Sequence, residues 1–352
     1  MKSVSCENQK ELKGGESHEP SELHDIHLAL AEKILAQVLP YRRVVQDALA
    51  CSDDNCSNCS TWHLPKIIRA IKEQLPITFV LPAFPGKSPN PRKVLSHLPD
   101  CAEELALKFL ADLTQRIQRL YQPGAKIILC SDGRVFSDVV GMQESHVTAY
   151  QEAIDQLILD LSLPDISTFN LDEVYQNLSF DDMRQRLMLS YGKSLDLLKK
   201  QVKAGSDPKA AHEEREANRM YCGITRFLYE DALTPDRQES NTSIQKKARL
   251  RAYEVIRRSN AWSELVAELF PRAVRLSIHP QECGSKKLGI RLVGNESWMT
   301  PWHGVAVERE GVYHLMKRSD AESAGYKLVF SEKGLPSYFR AIKNHKANQT
   351  GL

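Results

Sequence analysis

Residues 81 to 93 read LPAFPGKSPNPRK, and they continue a short apolar run, Ile77 to Leu81. A strand that ends in a loop of Pro, Lys, Ser and Asn brings polar groups to its carboxyl end, which is where an open α/β sheet binds its ligands. Beyond a helical segment and the turn YQPGA the pattern recurs, as the apolar run Ile127 to Cys130 opens into Ser131, Asp132, Gly133 and Arg134. Two such strand exits separated by a helix predict a parallel pair whose loops line one crevice.

Working outward, residues 1 to 24 are polar and rich in Gly, Ser and Glu, so they read as a flexible tail ahead of a single catalytic domain over 25 to 345. LALAEKILAQVLPYRRV has helical spacing, and so does 103 to 121, with Ala106, Phe109, Leu110, Leu113, Ile117 and Leu120 on one face. Further helices are predicted over 150 to 161 and within 174 to 200, and the polar loop TPDRQESNTS joins two more. Near the C-terminus the period changes. Val274, Leu276 and Ile278 alternate with Arg275 and Ser277, Ile290 and Leu292 flank Arg291, and two apolar runs flank EREG. These predict antiparallel hairpins joined to the earlier sheet, giving an α/β fold with a mainly parallel sheet flanked by helices.

Composition excludes several classes. Of 352 residues, 42% are hydrophobic and 26% charged, and 47 basic against 45 acidic side chains leave a net charge of +2. That balance fits neither a disordered chain nor a nucleic-acid binder. No run approaches the roughly 18 apolar residues of a membrane helix, and the first residues hold no apolar leader core. Eight Cys, several inside apolar stretches, read as buried thiols of a reducing compartment, so a cytoplasmic location is expected.

The loop after the first strand supplies Lys87, Ser88, Asn90, Arg92 and Lys93, cationic, hydroxyl and amide donors suited to a phosphate or carboxylate, although a solvated basic loop has the same composition. Asp132, with Arg134 and Phe136 beside it, is a candidate acid/base group, and an Asp closing a turn before Gly133 is as common. SIHPQ and SWMTPWHG place His279 and His303 at strand exits with Trp298 and Trp302 beside the second, where an imidazole is accessible for proton transfer. Arg184, Arg219 and Arg226 sit on helical segments, and one or two of them are expected in the site. Arg291, in the next strand-like run, is a further candidate for binding substrate. Cys51, Cys56, Cys59 and His63 form a C-x4-C-x2-C…H run with the residue types of a structural zinc site, but nothing nearby completes it. No GxGxxG, GxxxxGK[ST], HExxH or GxSxG occurs. The residues alone describe an α/β enzyme for a small anionic substrate without naming the reaction.

Four strings in order, LPAFPGKSPNPRKVLSHLPD, PGAKIILCSDGRVFSDVVG, VRLSIHPQ and SWMTPWHGVAV, resemble the isonitrile (isocyanide) synthase family, with its pyoverdine-cluster and dityrosine-biosynthesis relatives. The likeness runs from about residue 76 to 339 and leaves residues 1 to 60 outside, and a fungal member is expected. The resemblance implies a Rossmann-like fold. It also implies conversion of an amino acid's α-amine to an isonitrile, with ribulose 5-phosphate as co-substrate and carbon source and no cofactor. Tyr is the favoured amino acid, then Trp or Val. Lys87, Asp132, His279 and His303 are the implied catalytic residues; Ser88, Asn90, Arg134, Phe136, Arg184, Arg226, Arg291, Trp298 and Trp302 are the implied binding residues. The expected partners are the amino acid and the sugar phosphate, with a pathway oxygenase alongside and copper as a target of the product. Gly86 stands where a larger residue is expected in relatives, which would loosen the pocket. The competing readings are N-formylation on the same scaffold and a metal-responsive regulator built on the Cys run.

Overall fold

The computed structural model describes residues 21–45, 56–293 and 299–341, so Cys51 and Trp298 lie outside the described residues. Strands β1 (Ile77–Leu81), β2 (Ala125–Cys130), β3 (Ile166–Phe169), β4 (Val274–Ser277) and β5 (Leu288–Gly289) form one sheet in the order β3-β2-β1-β4-β5. Every pairing in it is parallel: β1 lies in register with β2 from Ile77–Ala125 to Leu81–Leu129, and meets β4 at Phe79–Val274. The chain builds outward from β1 to one edge and then crosses back to lay β4 on the other side of β1. The strand order therefore reverses between β1 and β4.

Helices cover both faces, as a parallel sheet requires. α1 (Ser21–Leu35), α2 (Ser57–Ser60) and α3 (Leu64–Lys72) precede β1, and α4 (Cys101–Leu120) links it to β2. α5 (Gly133–Val140) and α6 (Glu144–Asp160) link β2 to β3. The excursion to β4 carries α7 (Leu171–Val174), α8 (Phe180–Tyr191), α9 (Leu195–Ala204), α10 (His212–Asp231) and α11 (Asn241–Leu269). Alternation in the strands divides the core in two. Ile77, Phe79 and Leu81 pack with α1, α3, α4 and α6, whereas Val80 and Cys130 face α10 and α11, where Trp262 is fully buried.

The predicted hairpin exists as β6 (Val305–Arg309) and β7 (Val312–Met316), closed by Glu310 and Gly311 at positive φ. It belongs to a separate sheet, order β7-β6-β9-β8, completed after α12 (Arg318–Ser323) by β8 (Lys327–Phe330) and β9 (Pro336–Arg340). The expectation that 274 to 292 would form antiparallel hairpins is thus corrected to two parallel strands. Arg275 alternates as if it faced water, but it is turned onto α11, donating from Nη2 to the Ser263 carbonyl at 3.0 Å and hydroxyl at 2.6 Å. Among the described residues no helix is long and apolar enough to cross a membrane.

The loop after β1 is fixed by a buried ion cluster. Asp100 caps α4, accepting from the Ala102 amide at 2.9 Å, while Glu103 accepts from the Asp100 amide at 3.0 Å, a capping box. The same two carboxylates accept from Lys87 Nζ at 2.9 and 2.7 Å, the Pro301 carbonyl accepts at 3.2 Å, and Tyr150 of α6 donates to Glu103 at 3.1 Å. Burial opposes the charge on Lys87, yet Asp100 and Glu103 outweigh it and hold its pKa above the ordinary value. Replacing Lys87 by Met leaves two carboxylates buried without their cation, and the expected loss of stability is about 3–5 kcal/mol in denaturant unfolding. Adding Glu103→Gln should restore part of it; a single variant with an unchanged midpoint would show the cluster to be dispensable.

Candidate functional site

A cavity of about 630 Å³ opens at the carboxyl ends of β1, β2 and β4, the side of the strand-order reversal where α/β sheets bind ligands. Its floor is Pro85, Gly86, Asp132 and the segment from Ser277 to Gln281. One wall is α10, with Met220, Ile224, Phe227 and Asp231; another is the 3-10 turn Pro301–His303 ahead of β6. Two glycines let the floor form. Gly133 lies so close to the first loop that a Cβ would stand 1.8 Å from the Pro85 carbonyl oxygen. Gly86 has φ +129, a backbone region that side-chain-bearing residues rarely adopt, so the absence of a larger residue there follows from the turn as well as from the space beside Met142.

Three titratable groups from separate segments face this space: Asp132, His279 and His303. Burial pushes the Asp132 carboxyl up to about 7, against the pull of its own backbone amide at the start of α5. His279 looks into the open volume yet stands deep in the protein, and burial, with Lys287 and Arg43, lowers it to about 4. His303 is held well below the usual imidazole range by burial, Lys93, His279 and Lys87. Its ring packs 4.7 Å from that of Phe227, and its buried Nδ1 has no hydrogen-bond partner among the described residues. Near neutral pH both imidazoles are therefore neutral, and Asp132 is poised to give or take a proton.

The cavity is lined by six basic side chains in two groups. Beside His279 stand Arg43, which donates to the Ile278 carbonyl at 2.5 Å, Lys287, 3.5 Å from Glu216, and Arg219, 2.5 Å from Glu282. Beside His303 stand Lys93, paired with Asp231, and Arg226 and Lys317, paired with Glu230 at 3.2 and 3.0 Å. Asp231 also accepts from Ser88 at 2.7 Å through Oδ1, while its buried Oδ2 has no partner among the described residues. Burial raises the Asp231 pKa even though Lys93 opposes the shift.

The structure thus brings Ser88, Asp132, Phe136, Arg226, His279, Trp302 and His303 to one cavity. Arg226 only rims it, with its side chain 81% exposed. Other sequence candidates point elsewhere. Lys87 is enclosed in its ion cluster behind His303 and does not line the cavity. Asn90 donates to the Glu230 carbonyl at 2.9 Å and holds the loop to α10. Arg134 stacks on Phe180 and pairs with Asp172 at 3.1 Å. Arg184 is tied to Glu144 and Asp181, each at 2.7 Å. Arg291 donates to the Pro40 carbonyl at 3.0 Å, on the N-terminal segment. Reading the sequence missed Arg43, Lys287 and Asp231, whereas Lys93 was among the cations of the quoted loop and lines the cavity. Lys287 stands just ahead of the strand-like run at Ile290. Asp231 and Arg43 carry no local signal.

Comparison with known proteins fits this geometry. The profile of the family described as "Pyoverdine/dityrosine biosynthesis protein" matches residues 67–329. An L-tyrosine isonitrile synthase of Pseudomonas aeruginosa is 45% identical over 318 residues, covering 88% of this chain and 94% of that protein. The L-tryptophan isonitrile synthase AmbI2 of Fischerella ambigua is 44% identical over 311 residues, covering 88% and 91%. A fungal relative, the isocyanide synthase xanB of Aspergillus fumigatus, is 32% identical, so the bacterial kinship is stronger than the expected fungal one. The crystal structure of the PvcA protein from Pseudomonas aeruginosa superposes with a TM-score of 0.81 at 44% identity, over 89% of this chain and 99% of that one.

The burial of Asp132 has a thermodynamic signature. Its folded pKa of about 7 exceeds its ordinary 3.8, so the folded protein keeps a proton that the unfolded chain releases. Its contribution to stability is present at low pH and is lost as pH rises through about 7. Asp132→Asn cannot ionise, so it should raise Tm by several degrees at pH 8 and leave it nearly unchanged at pH 4. Equal shifts at both pH values would show that the carboxyl is not desolvated.

Proposed function

The chain belongs to the pyoverdine and dityrosine biosynthesis family and is an enzyme of the isonitrile-synthase type, and from this premise we propose that its cavity converts the α-amino group of tyrosine to an isonitrile with carbon from ribulose 5-phosphate. Tryptophan and valine rank behind tyrosine. The observation that carries the proposal is the convergence of Asp132, His279 and His303 on one cavity with a cationic group on each flank. An amino acid and a sugar phosphate are both anions, and each cationic group suits one of them. The apolar stretch of Phe136, Met142, Phe227 and Trp302 suits an aromatic side chain. The relatives named for L-tyrosine and L-tryptophan agree with that choice.

The chemistry makes defined demands. The amine attacks the sugar ketone, water leaves, and an imine forms. An isonitrile carbon carries nothing but its nitrogen, so both carbon–carbon bonds at the former ketone carbon must break, releasing C1 as formaldehyde and C3 to C5 as a phosphorylated three-carbon carbonyl compound; loss of a second water from the sugar balances the hydrogen and oxygen, and each step moves protons. In the proposed mechanism Asp132, poised near neutrality, exchanges protons with the imine. His279 and His303, held neutral, act as acceptors for the amine and for the sugar hydroxyls. Lys87 is a positioning residue, since its bond to the Pro301 carbonyl sets the turn that carries His303.

The test is mass spectrometry of the purified protein with a mixture of amino acids that includes tyrosine, together with ribulose 5-phosphate labelled at the ketone carbon. A labelled isonitrile is expected; a labelled formamide without prior acid treatment would favour N-formylation, and no labelled product from any amino acid would overturn the reading. Asp132→Asn should abolish turnover. Lys287→Met and Lys317→Met should each raise the KM of one co-substrate about tenfold, a loss of about 1.4 kcal/mol in binding, and not of the same one. An equal effect of both on both substrates would reject the two-flank arrangement.

A further inference from the structure

The run C-x4-C-x2-C reads as an incomplete metal motif in the sequence, but the fold supplies a partner from the far end of the chain. Cys56 is the N-cap of the single turn of α2 and Cys59 lies within it, so the two side chains, three residues apart, project from the same side. Cys283 approaches them from the β4–β5 connection, its sulfur 3.5 Å from that of Cys56 and 3.8 Å from that of Cys59, and all three sulfurs lie within 4.8 Å of one another. These separations are far too long for a disulfide, at about 2.05 Å. They match the edges, about 3.8 Å, of a tetrahedron of sulfurs about 2.3 Å from a zinc ion.

The backbone around Cys283 is shaped to deliver it. The Ser285 amide donates to the Glu282 carbonyl at 3.2 Å and Gly284 takes φ +81, a turn packed against Asn58 between the other two cysteines. His63 lies next to this arrangement. It is 1% exposed, lines a small recess together with Cys59, Glu282 and Ser285, and its Nε2 has no hydrogen-bond partner among the described residues. We propose that Cys56, Cys59 and Cys283 bind a structural zinc ion, leaving one coordination position for a further donor. The ion would clip α2 to the segment that carries His279 and Gln281 into the cavity and Glu282 onto Arg215 and Arg219. The site is distinct from the cavity and does not depend on the reaction proposed for it.

The experiment is elemental analysis of protein purified without a metal-affinity step and dialysed against a weak chelator. One zinc per chain is expected, with Cys283→Ser and Cys59→Ser each reduced at least fivefold and Cys222→Ser, outside the cluster, unchanged. Where a cluster variant does not fold, cobalt exchanged into the parent protein gives a second reading. A sulfur-to-cobalt charge-transfer band in the near ultraviolet is expected, abolished by adding zinc. Stripping the ion with a strong chelator should lower Tm by roughly 5 °C or more and make the three thiols titratable. Less than a tenth of an equivalent of zinc, a disulfide among the three, or stoichiometric iron instead of zinc would each overturn the proposal.

Discussion

The constraint on which most of the site depends is the enclosure of one ammonium group by two carboxylates at the head of a helix. Lys87 Nζ meets Asp100 and Glu103 where those residues already close the capping box of α4. A buried ion pair is only weakly stabilising in net terms, because desolvation offsets attraction, but it is costly to break and demanding in geometry. Here the geometry is the product. The cluster joins the loop after β1, the start of α4, Tyr150 of α6 and the Pro301 carbonyl, so four distant pieces of chain share one point. Trp302 and His303 follow directly from it.

Around that anchor the molecule separates holding from reacting. Several cations that face the cavity are held by acids near it, Lys93 by Asp231 and both Arg226 and Lys317 by Glu230, which offsets part of their charge in the empty site. Burial moves Asp132, His279 and His303 each toward its neutral form, and the neighbouring cations, Lys287 and Arg43 at His279 and Lys93 at His303, push the two imidazoles the same way. Low dielectric surroundings strengthen whatever charge develops there during reaction. Two imidazoles that refuse protons and one carboxyl that shares one form a set able to handle sequential proton transfers without a fixed excess charge.

Much of this was legible in the sequence. The runs at Ile77 and Ile127, each opening into a polar loop, identified the parallel pair and the crevice, because a buried parallel strand is apolar throughout and its exit is not. Asp132, His279 and His303 were found by the same logic. What failed was pairing at long range. Alternation around Arg275 imitates a half-solvated hairpin strand, and only the helix lying over it explains a half-buried guanidinium. Lys87, Arg134 and Arg184 carry the charge expected of ligand-binding residues, but each is held by a carboxylate further along the chain or on another helix, Arg184 also by Asp181 one turn before it. The D-x-x-E box at Asp100, and Asp181 one turn before Arg184, were local signs that acids stood nearby. For the Cys run the missing member lay more than two hundred residues away, beyond any local spacing rule.

The order of the strands also governs when the protein can become itself. β1 and β2 leave the ribosome early, yet the position beside β1 stays vacant until Val274 is made, and His303 comes later still. During that interval the apolar edge at Phe79 and Val80 has no neighbour on one side, and unpaired strand edges invite association with other chains. Contacts this remote in sequence close slowly, since the loop entropy is paid before the pairing is gained. An enzyme whose reactive groups meet only after β4 and the turn at His303 are made has no partly active nascent form.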